Sequence, residues 1–446
     1  MKKFIAILLC LLMVIAVAAC GNGGADQAGG ESSEEPATSD SSGADTDAAT
    51  DETAGSDEKI TLKVSMWEPY DENKSHVIAT KKYTELTGVE FEWICVTDGY
   101  DEKMVTMKAG GNAPDLIQFW DTPKYVESGL VKDITPLIER DSFNPEGKYG
   151  IVEGFETYKG NYYGMSMEVS PRMIYYNKDI FDKYDVPYPE AGWTWDEFKD
   201  TVKKLTQGEG DDQTYGYIAL ADHTYLLQEH VWTNGGDFIA EDGSTATGYM
   251  DSAETKEAIQ WYKDVFELST QLIQGDTAKN LGEAEFMSGQ IAMMDNGIWP
   301  VFSMEEAGIN FGVVTPPVPR EGAVFSPIIH SGAFGINPDT PYEEECWKFM
   351  KWVQSDEGQQ AYAVTSLPIL YQVSEETGQT QDEHKAPFIE VLQSPNYKIP
   401  CFVRNKNYAE AEALLAQAMG EIMLNDADVS DTLDLTAKDC DAILAQ

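Results

Sequence analysis

Four tryptophans in this chain stand beside groups that can exchange hydrogen bonds with a bound solute. Trp67 precedes Glu68, Trp120 precedes Asp121, Trp232 lies two residues before Asn234-Gly235-Gly236, and Trp299 follows Asn296-Gly297. Glu168 and Arg172 are four residues apart, and Tyr408 opens a long helical pattern. Rings of this kind bury the apolar C–H faces of a polyhydroxylated ligand, while carboxylates, amides and guanidinium groups pair with its hydroxyls. A hydroxyl left unpaired in a dry site costs roughly 1–3 kcal/mol, so matched partners supply specificity. Each residue also has a plainer reading. Trp67 and Trp232 suit a core, Asp121 suits a helix cap, and Glu168 suits a salt bridge. Trp193 and Trp195 read as packing at a helix start, and Met293-Met294 as buried strand.

Aromatics beside carboxylates also suit glycoside hydrolysis, which needs two carboxyl groups about 5–9.5 Å apart. With 77 acidic residues such a pair is available in principle. However, there is no Gly-x-Ser-x-Gly elbow, no His-Glu-x-x-His, no phosphate-binding loop and no GxGxxG. His76, His223, His230, His330 and His384 are the only histidines, and they are scattered. No metal centre, cofactor or catalytic residue is expected from such a pattern. A solute receptor for a peptide, polyamine or metal remains the alternative to one for a sugar.

The elements that must carry these residues alternate between strand and helix. Ile60–Met66 alternates like a strand, and Asp71–Thr87 reads as a helix stopped by Gly88. Val89–Val96 is β-branched and aromatic, Tyr100–Gly110 is helical, and Leu116–Phe119 is a short apolar run. This β-α-β-α-β order predicts a parallel sheet with both faces covered. Further strands are expected at 173–177, 215–220, 291–295 and 311–315. Helices are expected at 195–206, opened by Thr194, and at 255–270, 282–287, 343–353, 356–364 and 408–424, the last of these the final helix. Ligands gather where loops meet the carboxyl ends of such strands. Trp67, Glu68, Trp120 and Asp121 stand at those ends.

Composition narrows the partners. The 446 residues carry a formal charge of −46, which excludes nucleic acid as a partner, since phosphate binding needs a basic surface. Lys2 and Lys3 followed by apolar Phe4–Ala19 form a secretory signal, too short to be a spanning helix of ~20 residues. Val17-Ala18-Ala19-Cys20-Gly21 resembles a lipobox, with residues 1–19 removed and Cys20 diacylated as the membrane anchor. Residues 20–58 contain no Lys or Arg and almost nothing apolar, and read as a disordered acidic tether. Cys95, Cys346, Cys401 and Cys440 have no zinc spacing, and are compatible with disulfides or with free thiols.

A series of motifs then carries a resemblance. Lys108-Ala109-Gly110-Gly111-Asn112-Ala113-Pro114-Asp115-Leu116-Ile117 is followed by Ser128-Gly129-Leu130-Val131 and by Ile134-Thr135-Pro136-Leu137. Next come Gly160-Asn161-Tyr162-Tyr163-Gly164-Met165, Ile174-Tyr175-Tyr176-Asn177-Lys178-Asp179, and Trp193-Thr194-Trp195-Asp196-Glu197-Phe198. Asn234-Gly235-Gly236, Phe286-Met287-Ser288-Gly289-Gln290-Ile291-Ala292-Met293-Met294 and Asn296-Gly297-Ile298-Trp299 complete the order. In this succession, over nearly all of 60–423, the chain resembles family-1 extracellular solute-binding proteins of the maltose-binding type. The resemblance implies an α/β, two-lobed, type II periplasmic-binding-protein-like fold. Residues 59–168 plus 325–390 would form one lobe, and 169–324 plus 391–446 the other. It implies a cleft closing on an oligosaccharide and a monomer docking on ABC permease subunits at the outer face of the membrane. It also implies that Trp120-Asp121 and Trp299 hold the positions of the family's aromatic-plus-acid pair and stacking ring.

Overall fold

The computed structural model describes residues 59–446, apart from 145–146 and 273–281. The signal, Cys20 and the acidic stretch lie outside the described residues. The first strand, β1 (Thr61–Met66), is followed by α1 (Ser75–Thr87), β2 (Glu90–Cys95), α2 (Tyr100–Ala109) and β3 (Leu116–Phe119). Gly88 ends α1 at φ 78°, a left-handed turn where a side chain would strain the backbone, and its N–H caps the Thr84 carbonyl. β2 and β3 both pair in parallel with β1, as the alternating order predicts.

The sheet then departs from the all-parallel expectation. It has five strands in the order β2-β1-β3-β8-β4, where β4 is Met165–Pro171 and β8 is Ile329–Ile336. β8 runs antiparallel to both β3 and β4. Residues alternate between its two faces. Leu116 and Phe334 join one core with Leu62, Val64 and Trp347, while Ile117 and Ala333 join another with Tyr100, Met104 and Tyr125.

Arg172 separates β4 from β5 (Met173–Asn177), which is the centre of a second, three-stranded sheet. Its neighbours are β6 (Met293–Asn296) and β7 (Phe311–Val314), both antiparallel to it. The chain therefore passes between the sheets at Arg172 and again between β7 and β8. The largest core surrounds the three-stranded sheet. It includes fully buried Met293 and Met294, read from the sequence as buried strand, and Trp195, read as packing, which stacks on Trp261 at 4.6 Å. The helix at Trp195–Leu205 opens on a capping box between Thr194 and Glu197. Glu168 lies inside β4. The helix at Tyr408–Leu424 is not the last, since Val429–Leu444 follows and packs on it. Among the described residues Cys95, Cys346, Cys401 and Cys440 are free thiols, and no helix is long and apolar enough to cross a membrane.

Candidate functional site

The site is built around β8. Register pairs His330 with Ser170 and Gly332 with Glu168, so these four positions share one face of the sheet. Trp67, just past the end of β1, lies over Gly332. A β-carbon there would meet its ring at 2.9 Å, so the close approach requires glycine. Continuing the pairing of Phe119 with Ala333 brings Trp120 beside the same glycine.

The first wall is aromatic. Trp67 meets Trp120 edge to face at 5.1 Å and Tyr100 at 5.9 Å. Tyr100 is fixed through its hydroxyl, which lies 2.6 Å from Ser65 Oγ and donates to the Gln118 carbonyl at 2.7 Å. Trp120 keeps 36% of its surface exposed although its neighbours are buried. Asp121 caps the short helix Thr122–Glu127, accepting from the Lys124 N–H at 3.1 Å. Burial pushes its carboxyl up to about 7, with Asp101 and Glu412 adding to the rise and Lys124 opposing it. Burial also raises Glu168, Glu68 adding to it and the Ser366 hydroxyl opposing. Glu68 itself pairs with Lys74 at 2.6 Å.

The second wall is a ring on a charged foundation. Trp299 is 41% exposed. Its ring folds back over Gly297, where a β-carbon would come within 2.5 Å of it, and its edge faces His330 at 5.5 Å. The Ile298 N–H donates to Ser170 Oγ at 2.9 Å, tying this loop to β4. Behind the ring, 6.0 Å from its centre, is the Arg172 guanidinium. Arg172 is 1% exposed, donates from Nε to Asp295 Oδ1 at 2.5 Å, and donates again to the Asp295 carbonyl. Tyr225 meets His330 at 4.7 Å and donates to the Ile329 carbonyl at 2.8 Å. The adjoining Thr224 donates to Glu412 Oε1 at 2.7 Å. Burial also raises the Glu412 carboxyl and holds His330 neutral, far below its ordinary value.

The structure thus brings Trp67, Trp120, Glu168 and Trp299 to Gly332 and His330 of β8, with Glu68 following Trp67 on the Lys74 ion pair and Asp121 following Trp120 as a helix cap. Three other sequence candidates stand elsewhere. Trp232 is 3% exposed and donates its indole N–H to Asp237 at 2.9 Å, next to Val231 of the core around the three-stranded sheet. Tyr408 is 1% exposed in the same core. Arg172 is buried behind Trp299, its charge matched by Asp295. Tyr225, His330 and Glu412 were not read from the sequence. His330 lies in Ile329-His330-Ser331-Gly332-Ala333, whose small residues hide a strand pattern; a helical turn places Glu412 near Tyr408 without any motif to mark it.

Glu229, His230 and Asp295 bring three atoms capable of holding a metal within 4.8 Å of one another. Arg172 already occupies Asp295, however, and burial together with Asp295 pushes the Glu229 carboxyl far up. Both effects favour the protonated form of Glu229, which lessens the negative charge an ion would meet there. The more exposed trio Glu305, Asp382 and His384 is joined internally, His384 Nδ1 lying 2.9 Å from Glu305 Oε1.

Residues 79–387 match the family model described as bacterial extracellular solute-binding protein. The chain is 26% identical over 343 residues to the maltotriose-binding protein of Pyrococcus abyssi, covering 71% of each chain. It is 22% identical over 390 residues to the maltodextrin-binding protein MdxE of Bacillus subtilis, covering 81% of this chain and 79% of that one. Among solved structures, an ABC substrate-binding protein of Listeria monocytogenes in complex with cycloalternan superposes at a TM-score of 0.74. The two are 22% identical, over 86% of this chain and 98% of that one. The GacH receptor of Streptomyces glaucescens, solved unliganded and with acarbose, gives 0.73 at 18% identity, over 86% and 98%. The fold is accordingly the two-lobed type II arrangement of periplasmic binding proteins.

Proposed function

Because the chain belongs to the bacterial extracellular solute-binding proteins, we propose that it captures an oligosaccharide outside the cell and delivers it to the membrane permease of an ABC importer. The observation that carries this reading is the pair of part-exposed tryptophans, Trp120 and Trp299, standing on either side of the β8 face. Large rings left open to water in an otherwise packed region suit the C–H faces of sugar units. Asp121, Glu168 and Glu412 suit their hydroxyls. Relatives named for maltotriose, maltodextrin and galactooligosaccharide point the same way.

In this reading one lobe carries the five-stranded sheet and the other the three-stranded sheet, and the passages at Arg172 and between β7 and β8 act as hinges. Contacts from both sides are completed only on closure, so ligand shifts the population toward the closed state. Cys20, freed by cleavage after Ala19 and diacylated, anchors a monomer to the outer face of the membrane, with the acidic stretch as tether. Thermal shift of the full chain against sugars, peptides, polyamines and metals tests the ligand class. Ligand at a hundredfold excess over Kd adds about 2.7 kcal/mol of stability. Oligosaccharides are expected to raise the melting temperature, and a response confined to peptides, polyamines or metals would overturn the carbohydrate assignment.

A further inference from the structure

We propose that a cavity outside the two tryptophan walls binds a phosphate group, either free or as the ester of a small solute. The inference stands apart from the carbohydrate reading and does not need it. The cavity measures about 400 Å³ and lies between the hairpin tip at Tyr158-Lys159, the turn 404–407 and the last helix at Leu444. Small-molecule sites occupy roughly 300–1,000 Å³. The whole chain has 77 acidic residues against 31 Lys and Arg. Of the ten residues lining this cavity, three are cations, Lys159, Arg404 and Lys406, and none is an aspartate or a glutamate.

Local structure places the two lysines. The hairpin pairs Thr157 with Tyr162 and Tyr158 with Asn161. Lys159 and Gly160 form its two-residue turn, at φ 51° and 85°, the left-handed pair that such a turn requires. Lys159 is thereby held at the tip, its ammonium 4.6 Å from the centre of the Tyr158 ring. Across the cavity, Lys406 stands between two pinned asparagines. The Asn405 amide donates to the Gly243 and Leu444 carbonyls at 2.9 and 3.1 Å, and the Asn407 amide to the Ile443 carbonyl at 3.3 Å. The turn is thus tied to the last helix, Val429–Leu444, while Lys406 itself is exposed.

Arg404 supplies the buried part of the lining, its side chain 4% exposed. Nε donates to the Ile399 carbonyl at 2.7 Å, and Nη1 donates to Asp237 Oδ2 at 3.0 Å and to the Ile239 carbonyl at 3.2 Å. Among the described residues no hydrogen bond engages Nη2. Asp237 Oδ2 also accepts from Lys398 at 3.2 Å, so two cations share that acid and positive charge is left over. Lys159 is 2.8 Å from Glu127, but both side chains of this pair are exposed, and such pairs are weak and easily exchanged. A phosphate ester carries about −1.5 to −2 charge at pH 7 and three strong acceptor oxygens. It offers acceptors for Nη2 and for both ammonium groups at once, whereas a neutral solute leaves all three charges unmatched.

The test is calorimetry on the full chain in a phosphate-free buffer at low salt, with inorganic phosphate, glucose 6-phosphate and glucose. Both phosphates are expected to bind. Glucose 6-phosphate tighter than inorganic phosphate by about tenfold or more assigns the cavity to an ester, and equal affinity assigns it to the free ion. The double variant Lys159→Asn, Lys406→Gln removes both rim charges at exposed positions, and asparagine tolerates the positive φ at 159. It is expected to weaken both phosphates by about tenfold or more, with the melting temperature unchanged and any heat from glucose unchanged. Should its melting temperature fall, Lys406→Gln alone is compared, with a loss of about threefold expected. Failure of both phosphates to bind the unaltered chain, or equal binding by the variant, would overturn the inference. Failure of oligosaccharides to bind would sink the carbohydrate reading and leave this one standing.

Discussion

The two walls of the site hold their tryptophans by different physics. Trp67 and Trp120 sit at the ends of adjacent parallel strands, β1 and β3, and lean on each other and on Tyr100. Their ring partners lie between residues 61 and 125, and Gly332 of β8 supplies a distant surface by leaving room for Trp67. Trp299 leans instead on Arg172 and His330, and Arg172 is held by Asp295 across 123 positions of sequence. The first wall is a local aromatic cluster, whose members can be lost one at a time. The second depends on a buried ion pair, and such a pair costs far more to break than its intact form contributes. The same functional surface is thus graded on one side and all-or-none on the other.

The largest effect should come from cutting the foundation of the second wall. Asp295→Ala strands the Arg172 guanidinium in the interior, and removal of one partner from a buried pair typically costs about 3–5 kcal/mol. Denaturant unfolding is expected to show a loss of that size together with loss of ligand binding. A loss below about 1 kcal/mol would show that water reaches Arg172 and that the contrast between the walls is false.

Trp299→Ala ranks next, and separates the ring from its support. With 41% of its surface exposed the ring contributes little to the fold. Ligand affinity should fall more than about tenfold, or ~1.4 kcal/mol, while the ligand-free melting temperature barely moves. A large fall in that temperature would make Trp299 a core residue and remove it from the site.

A smaller effect tests the first wall through pH. The Asp121 carboxyl is raised from an ordinary value near 3.8 to about 7 in the folded protein. The folded state therefore holds this proton more tightly than the unfolded chain does. Stability from this group is present below about 4 and is lost as pH rises to about 7, beyond which the penalty is complete. Asp121→Asn keeps the helix cap and removes the charge. Its ligand-free melting temperature should match the parent at pH 4 and exceed it by about 2 °C or more at pH 8. An equal offset at both pH values would mean that capping, and not charge, governs the position.

The smallest effect sharpens the account of the second wall. Burial and Asp295 push the Glu229 carboxyl well above its ordinary value, which favours the neutral acid, and Glu229→Gln replaces that acid by a neutral amide. Stability should change by less than about 1 kcal/mol, whereas a charged Glu229 would give a loss several times larger on this exchange. Chemical denaturation distinguishes the two.

Legibility followed the same division. The strands and helices from β1 to β3 were read to within one residue except the start of α1, which lies at Ser75 and not at Asp71, and Met173–Asn177, Glu343–Val353 and Tyr408–Leu424 fell as expected. Their apolar period and end signals are local. β8 escaped notice because Ser331, Gly332 and Gly335 break any alternation, and these same small residues let Trp67 approach. With β8 unread, the antiparallel half of the sheet and the placement of His330 and Glu168 were also out of reach. Trp232 looked like a site residue because a tryptophan before Asn-Gly-Gly has the same local pattern whether its ring faces a gap or a core. Only the hydrogen bond to Asp237 decides between these.

The sequence by itself determined the alternation of strand and helix, the acidic composition, the order of motifs that marks a solute receptor, and the tryptophan at the end of β3. Those properties depend on neighbours within a few residues, on bulk charge, or on order along the chain. Tertiary structure alone decided that Arg172 is buried behind Trp299 on Asp295, that Glu412 is held by Thr224, and that β8 carries Gly332 under Trp67 and His330 beside Trp299. Burial and charge pairing depend on distances between residues far apart in the chain, and no local pattern records them.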